Sequence, residues 1–278
     1  MSVFVGPLGG LVETECLSGL SVQREQRLVE RRDIQGRRYV RKFGPVVRSW
    51  SAEIGHARPE DLALLHELQA GQDEPWWLVA CDAQFTNLLP PRVSRMLDWV
   101  VTGSNNLYRG GIVPLDGGGV AATSANPDYT GDDYNYRTPL FPVDPSGGPL
   151  TASLYVRAGI GLTAGFRVAW FDAAGSPHLT TPASSVVTTT TDSGPLERLS
   201  VTATPPAGAH CGALQFRRAA VVARPAVTWG STLHPWVEGR GASSVVLTPL
   251  QETVNAAHPS IASTSAAYTI LEVAAGVA

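Results

Sequence analysis

Four tyrosines, Tyr108, Tyr129, Tyr134 and Tyr136, stand in stretches rich in glycine and aspartate, with Asp132, Asp133 and Arg137 beside them. Exposed aromatic rings make apolar platforms for sugars, and nearby carboxylates or guanidinium groups orient the hydroxyls. A glycan contact through Tyr108, Tyr129, Tyr134, Tyr136 and Arg137 is the chemistry this set would perform. The plainer use of the same rings is to pin a loop to its sheet or to a neighbouring subunit. Asn126, Asp128, Asp132 and Asp133 offer oxygen ligands of the kind a structural calcium ion takes. Their spacing is not that of the twelve-residue EF-hand loop, and turn formation is the simpler explanation, so no metal site and no cofactor is expected.

A second group is basic. Arg24, Arg27, Arg31, Arg32, Arg37, Arg38, Arg41, Lys42 and Arg48 lie close together against Glu25, Glu30 and Asp33, in a chain whose net charge is −3. Such a segment serves either as a phosphate-binding surface or as a solvated hairpin supplying ion pairs between subunits. The acidic balance of the whole chain argues against general nucleic-acid binding, so the second reading is preferred. It assigns inter-subunit contact to Arg31, Arg32, Arg37 and Arg38, which flank the break at Asp33-Ile34-Gln35-Gly36.

No catalytic residue is expected. His56, His66, His178, His210, His234 and His258 are scattered without a His-Glu-x-x-His pair. The chain has no Gly-x-Ser-x-Gly elbow, Walker loop or dinucleotide Gly-x-Gly-x-x-Gly placed after a strand. Glu197, Glu238 and Asp172 are the carboxylates a glycosidase pair would draw on, but acidic residues are thin in the middle of the chain, and a non-enzyme is expected. Cys16, Cys81 and Cys211 are odd in number and far apart, which points to reduced, buried thiols and not to disulfides or zinc.

The elements that must position these residues are strands. With 278 residues, 28 Gly, 21 Pro and 16% charged residues, the chain is turn-rich and globular. Apolar and polar residues alternate over Thr151 to Arg157, Phe166 to Phe171, Leu196 to Thr204 and Ala213 to Arg217. Asp172-Ala173-Ala174-Gly175-Ser176-Pro177 and Pro205-Pro206-Ala207-Gly208 are turn formers between them. Leu199, Val201 and Ala203 face one way and Ser200, Thr202 and Thr204 the other, as in a sheet buried on one side. Trp99 and Trp170 read as core. Nearer the start, Gln23 to Lys42 reads as a long hairpin. Pro59, Glu60 and Asp61 open a helix whose Leu62, Leu65 and Leu68 share a face and which Gly71 stops, and Trp76 to Ala80 follow as a strand.

About sixty loop-rich residues follow Asn87-Leu88-Leu89-Pro90-Pro91, with strands expected at Trp99 to Thr102 and Gly119 to Ala122. Further strands are expected at Ala226 to Trp229, Ser244 to Thr248 and Ala267 to Val273. The N-terminal part has too few strands for its own core, so the C-terminal strands are expected to pair with it. The resulting organisation is mostly β. Residues 1–86 and 225–278 form one sandwich with a single helix, and residues 87–224 form an inserted jelly roll. Met1 to Leu11 lacks the pattern of a secretion signal and no apolar run approaches the roughly 18 residues of a membrane span. Folding in the cytoplasm without membrane insertion is therefore expected.

The chain ends resemble the distal tail and minor tail proteins of siphophages. The residues that carry this are Arg48-Ser49-Trp50-Ser51-Ala52-Glu53, Arg58-Pro59-Glu60-Asp61-Leu62, Trp76-Trp77 and Ala267-Tyr268-Thr269-Ile270-Leu271-Glu272-Val273, in that order. The middle resembles a carbohydrate-binding-module jelly roll through Asn87-Leu88-Leu89-Pro90, Trp99, Ala152 to Arg157, Ala169 to Gly175 and Leu199 to Ala203. The resemblance implies a tail-tube-like domain and a virion protein of the tail tip, made in the host cytoplasm. Its implied partners are copies of itself in a homo-oligomeric ring, the tail tube and tail-tip hub, and a host surface glycan. The competing expectation is a glycan-binding or glycan-hydrolysing β-sandwich protein.

Overall fold

Alternating runs become strands in the computed structural model, which describes residues 3–7, 10–14, 21–57, 59–70, 76–79, 82–98, 100–101, 109–115, 120–124, 136–157, 163–180, 187–188, 196–217, 221–239, 241–247, 251–258 and 261–272. Strands β1 (Val3–Gly6), β2 (Val12–Thr14), β3 (Ser21–Arg32) and β4 (Arg38–Ala57) precede helix α1 (Pro59–Ala70) and β5 (Trp76–Val79). A four-residue helix α2 (Pro91–Ser94) leads to β6 (Val100–Val101), β7 (Arg109–Pro114), β8 (Val120–Ser124), β9 (Tyr136–Arg137), β10 (Phe141–Pro142) and β11 (Leu150–Arg157). Next come β12 (Thr163–Phe171), β13 (Pro177–Thr180), β14 (Val187–Thr188), β15 (Glu197–Ala203), β16 (Cys211–Arg217) and β17 (Val221–Trp229). The last described strands are β18 (Ala242–Leu247), β19 (Gln251–His258) and β20 (Ile261–Glu272). The protein is mostly β.

Two units divide the chain. The first joins Met1–Pro7, Glu13–Leu78 and Ser243–Ala278. Its sheet runs β2-β1-β5-β18-β20-β4-β3, with β19 also paired to β20. Strand β20 alternates strictly: Ala266, Tyr268 and Ile270 are buried while Ala267 and Leu271 are exposed. Register places Leu247 opposite Ile270 and Ile270 opposite Trp50, so residues remote in sequence share one hydrogen-bonded ladder. The core holds Val3, Val5, Trp50, Leu65, Leu78, Val245, Ala266, Tyr268 and Ile270. Helix α1 contributes Leu65, with Leu62 partly buried beside it, because residues three apart lie on one helical face.

The second unit comprises Leu8–Val12 and Val79–Ala242. Two sheets form its sandwich, β13-β12-β16-β9-β6 with β10 and β14 attached, and β15-β11-β17-β8-β7. Across β12 and β16, Phe166 pairs with Phe216, Val168 with Leu214 and Trp170 with Gly212, which stacks large apolar groups on one face. Trp170 is 1% exposed, a core residue. Gly212 is required there, since a Cβ would stand 2.7 Å from Phe141 Cε2. The second sheet contributes Leu150, Ala152, Leu154 and Val156, all buried. Both turns expected from composition form: Gly175 and Gly208 take φ of +74° and +84°, and Asp172 Oδ1 accepts from the Ser176 amide at 2.8 Å.

The expected boundary near residue 224 falls inside β17, which is a central strand between β11 and β8. The units divide instead between Leu78 and Val79 and between Ala242 and Ser243. Arg224-Pro225 lies at that boundary and does not break the strand. It is a β-bulge: register changes between Ser153 and Tyr155 of β11, and Arg224 takes a φ of 51°. A bulge leaves one residue out of the ladder, which is where a proline without an amide hydrogen can sit in a central strand. Strands β1, β2, β7, β9, β10, β13, β14 and β19 and helix α2 were not foreseen, whereas β6 and β8 lie within or beside the stretches expected to hide them.

Candidate functional site

The basic hairpin is an arm. Strands β3 and β4 pair from Ser21 opposite Ser51 to Arg32 opposite Arg38, whereas β20 pairs with β4 only over Ser49 to Ala57. From Arg24 and Arg48 outward the ribbon therefore consists of two strands, nine residues along β3, or roughly 27 Å at the usual rise per residue. Two-stranded ribbons are marginal alone in water.

At the tip, Asp33 organises the turn. Its Oδ1 accepts the amides of Gln35 (2.9 Å) and Arg37 (2.8 Å), and its Oδ2 accepts from Arg37 Nε (2.9 Å) and the Tyr39 hydroxyl (3.3 Å). Gly36 takes the left-handed φ of +80° that the reversal needs. Desolvation opposes ionisation of Asp33, but the hydrogen bonds from Arg37, Gln35 and Tyr39 outweigh it and hold the carboxyl below its ordinary 3.8. A depressed carboxylate stabilises above its unfolded value and loses that contribution as pH falls through the folded one. The Gln35 and Arg37 amides are therefore expected to keep their NMR shifts down to about that ordinary 3.8 and to move only in more acidic solution. A midpoint above it would contradict this network.

Arg31, Arg32, Arg37 and Arg38 are all exposed at this tip. Arg37 pairs with Asp33 and Arg38 with Glu30 on the arm itself. Among the described residues Arg31 and Arg32 have no carboxylate partner. Ile34 is fully exposed, and Tyr39 and Val40 are 54% and 50% exposed, so the tip presents apolar surface ringed by positive charge.

The expected sugar-binding set is not assembled by the described residues. Tyr108, Tyr129 and Tyr134 lie outside them, as do Trp99 and the oxygen cluster Asn126, Asp128, Asp132 and Asp133. Tyr136 is buried, its ring stacked on Phe216 at 5.3 Å between centroids and 5° between planes. Its place as an open platform is therefore revised: register puts it on the packed face of the sheet with Phe166 and Leu214, and the ring fills core. Arg137 belongs to the opposite face, where its guanidinium lies 5.3 Å over the Phe171 ring. Gln215, its register partner, accepts from Arg167 Nε at 2.9 Å.

Among the described residues no group of three His, Cys, Asp or Glu side chains is placed to hold a metal ion, and no helix is long and apolar enough to cross a membrane. Of the carboxylates considered for glycoside cleavage, Glu238 is tied to Arg95 at 2.5 Å and Asp172 is spent on its turn. Cys211 is buried, and burial first and the Asp172 charge second push its thiol up to about 11, so it stays protonated at neutral pH. Cys16 and Cys81 lie outside the described residues.

Sequence reasoning gave Asn87 no structural role of its own, naming it only at the boundary and in the jelly-roll resemblance. Asn87 is fully buried. Its Nδ2 donates to the carbonyls of Pro225 (3.0 Å) and Val237 (3.2 Å), and its Oδ1 accepts from the amides of Val227 (3.0 Å) and Leu89 (3.2 Å). One side chain thus ties the bulged strand β17 to the segment 231–239. The only signal available was a polar residue preceding the apolar pair Leu88-Leu89.

The fold and these surfaces define a mostly-β protein with a discontinuous sheet unit, an arm and an inserted sandwich. No protein-family model matches the chain, and no curated protein does. A solved structure of a Clostridium thermocellum endo-1,4-beta-D-xylanase 10B fragment, CBM22-1 and GH10 modules complexed with xylohexaose, is similar at 12% identity and a TM-score of 0.34. The likeness covers 54% of this chain and 28% of that one, so this chain spans well under a third of the xylanase fragment's length.

Proposed function

We propose that this chain is a structural protein of a phage tail tip, a distal or minor tail protein whose copies close into a ring joining the tail tube to the baseplate or receptor-binding apparatus. The observation that carries the reading is the arm: two strands leave a sheet built from both chain ends and present exposed arginines and apolar side chains where their own sheet no longer covers them. A ring needs a contact between different surfaces of neighbouring copies, and a projecting ribbon supplies one half of it. Charge at such a contact sets orientation and association rate, and the on-arm pairs of Arg37 and Arg38 lie at the surface, where ion pairs are weak and readily exchanged for partners on another subunit.

Changing Arg31, Arg32, Arg37 and Arg38 together to serine is expected to weaken assembly about tenfold or more while the monomer keeps its unfolding temperature. Light scattering and negative-stain imaging of both proteins, alone and with tail partners, check this. Rings of normal stoichiometry from the fourfold variant would remove the arm from the interface.

A second reading is a glycan-binding or glycan-hydrolysing sandwich, favoured by the partly exposed Arg137, Arg167 and Gln215 on the face of one sheet opposite Tyr136. Incubation with host cell-wall polysaccharide separates the two. Retention weakened by Arg137→Ala supports adhesion, release of reducing ends supports hydrolysis, and neither outcome leaves the architectural role.

A further inference from the structure

The other sheet of the sandwich turns a polar face outward. Register places Thr151 opposite Thr202, Ser153 opposite Ser200 and Tyr155 opposite Arg198, with Ala226 and Thr228 alongside from β17. The segment 231–239 crosses this face, and a pocket remains beneath it, lined by Thr151, Ser153, Thr228, Arg198 and Asn87 below and by Leu233, His234, Pro235 and Val237 above. Its interior of about 10 Å³ has room for a single water-sized group.

Arg198 is the cation of this pocket. Its Nη2 donates to Ser153 Oγ (2.9 Å) and to the His234 carbonyl (2.7 Å), and its guanidinium lies 5.5 Å over the Tyr155 ring. Its Nε is buried and has no hydrogen-bond acceptor. Among the described residues no carboxylate forms an ion pair with it. A half-buried guanidinium without a counter-charge, set among hydroxyls, is suited to a single anionic oxygen, its two Nη2 hydrogens being already held by Ser153 and the His234 carbonyl. The rim is apolar and open: Leu233 and Val237 are 45% and 42% exposed, and Phe85, at 62%, stands edge-on to His234 at 5.3 Å.

We propose that this pocket binds a carboxylate group, one oxygen entering beside Arg198 while the body of the ligand rests on the Leu233, Pro235 and Val237 rim. The carboxylate comes from a small organic acid or from an acidic sugar. The site is independent of the tail-tip reading, since it needs neither the arm nor assembly.

Titrating the full chain with propionate, D-glucuronate and neutral D-glucose, followed by NMR at His234 and the Trp236 indole, tests it. Saturable shifts with either acid, weakened about tenfold or more by Arg198→Gln and absent with glucose, are expected. The tighter of the two acids identifies the source. Because Arg198 also holds the 231–239 segment, Val237→Glu is a second variant: an exposed carboxylate on the rim repels or replaces the ligand without touching the fold. No shift with either acid, an equal response to glucose, or binding unchanged in both variants would overturn the site.

Discussion

Replacing Asn87 by leucine lowers the unfolding midpoint of the inserted unit by about 10 °C, the largest loss expected from any polar side chain described here. The substitution preserves approximate volume and removes four hydrogen bonds, leaving the Val227 and Leu89 amides and the Pro225 and Val237 carbonyls to find other partners. Each buried group left unpaired costs about 1 to 3 kcal/mol, and partial relaxation brings the total to about 3 to 5 kcal/mol. For a unit of this size each kcal/mol shifts the midpoint by about 2 to 4 °C. Differential scanning calorimetry checks the shift, and a change below about 3 °C would mean that the site relaxes or admits water. The Pro225 carbonyl also accepts from Trp236 Nε1 at 3.3 Å, so its loss of Asn87 alone is the mildest of the four.

Gly239→Ala is expected to be comparably severe by a different route. A Cβ at this position would stand 1.6 Å from the Leu89 carbonyl oxygen and 2.6 Å from its carbon, and both are backbone atoms that no rotamer change can move aside. Gly239 also donates to Ser94 Oγ at 2.9 Å, and the next described residue, Gly241, donates to the Asn87 carbonyl at 2.8 Å. The segment must therefore lift from residues 86–95, breaking these bonds and the Arg95–Glu238 ion pair together. The expected cost is about 3 kcal/mol or more, in the upper range for overpacking. Limited proteolysis should cut the variant near residues 231–239 before the sandwich unfolds. Protection equal to that of the parent would show that the backbone yields elsewhere.

These two residues illustrate what was legible beforehand. Strands β11, β12, β15 and β16 were readable because each alternates with period two and is bounded by glycine- and proline-rich turns, so local chemistry and tertiary burial agree. The hairpin was readable for the same reason, with Asp33 and Gly36 at its reversal. Strand β17 was half hidden, because Arg224-Pro225 satisfies the rule for a break, and only the register against β11 reveals a bulge. Asn87 and Gly239 carried no local mark. Their importance comes from backbone groups 138 and 150 positions away or from a carbonyl on another segment, and no window along the chain contains both partners.

The side taken by Tyr136 was not legible for a related reason. A ring beside glycine and aspartate can point to solvent or into the core, and the ladder decides: Tyr136 pairs opposite Phe216 and so inherits the packed face, while Arg137, one residue on, inherits the outer one. Composition could name the residues but not the side of the sheet.

From the sequence alone came the β character, the helix at Pro59–Ala70, the basic hairpin and the pairing of the two chain ends, because periodicity, caps and turn residues act over a few positions and an unpaired apolar strand requires a sheet. Tertiary structure alone decided where the inserted unit begins and ends, which aromatic rings are core, and that Arg198, Asn87 and the 231–239 segment meet on one face. Those are matters of register and long-range hydrogen bonding, in which a shift of one residue exchanges the two faces of a strand.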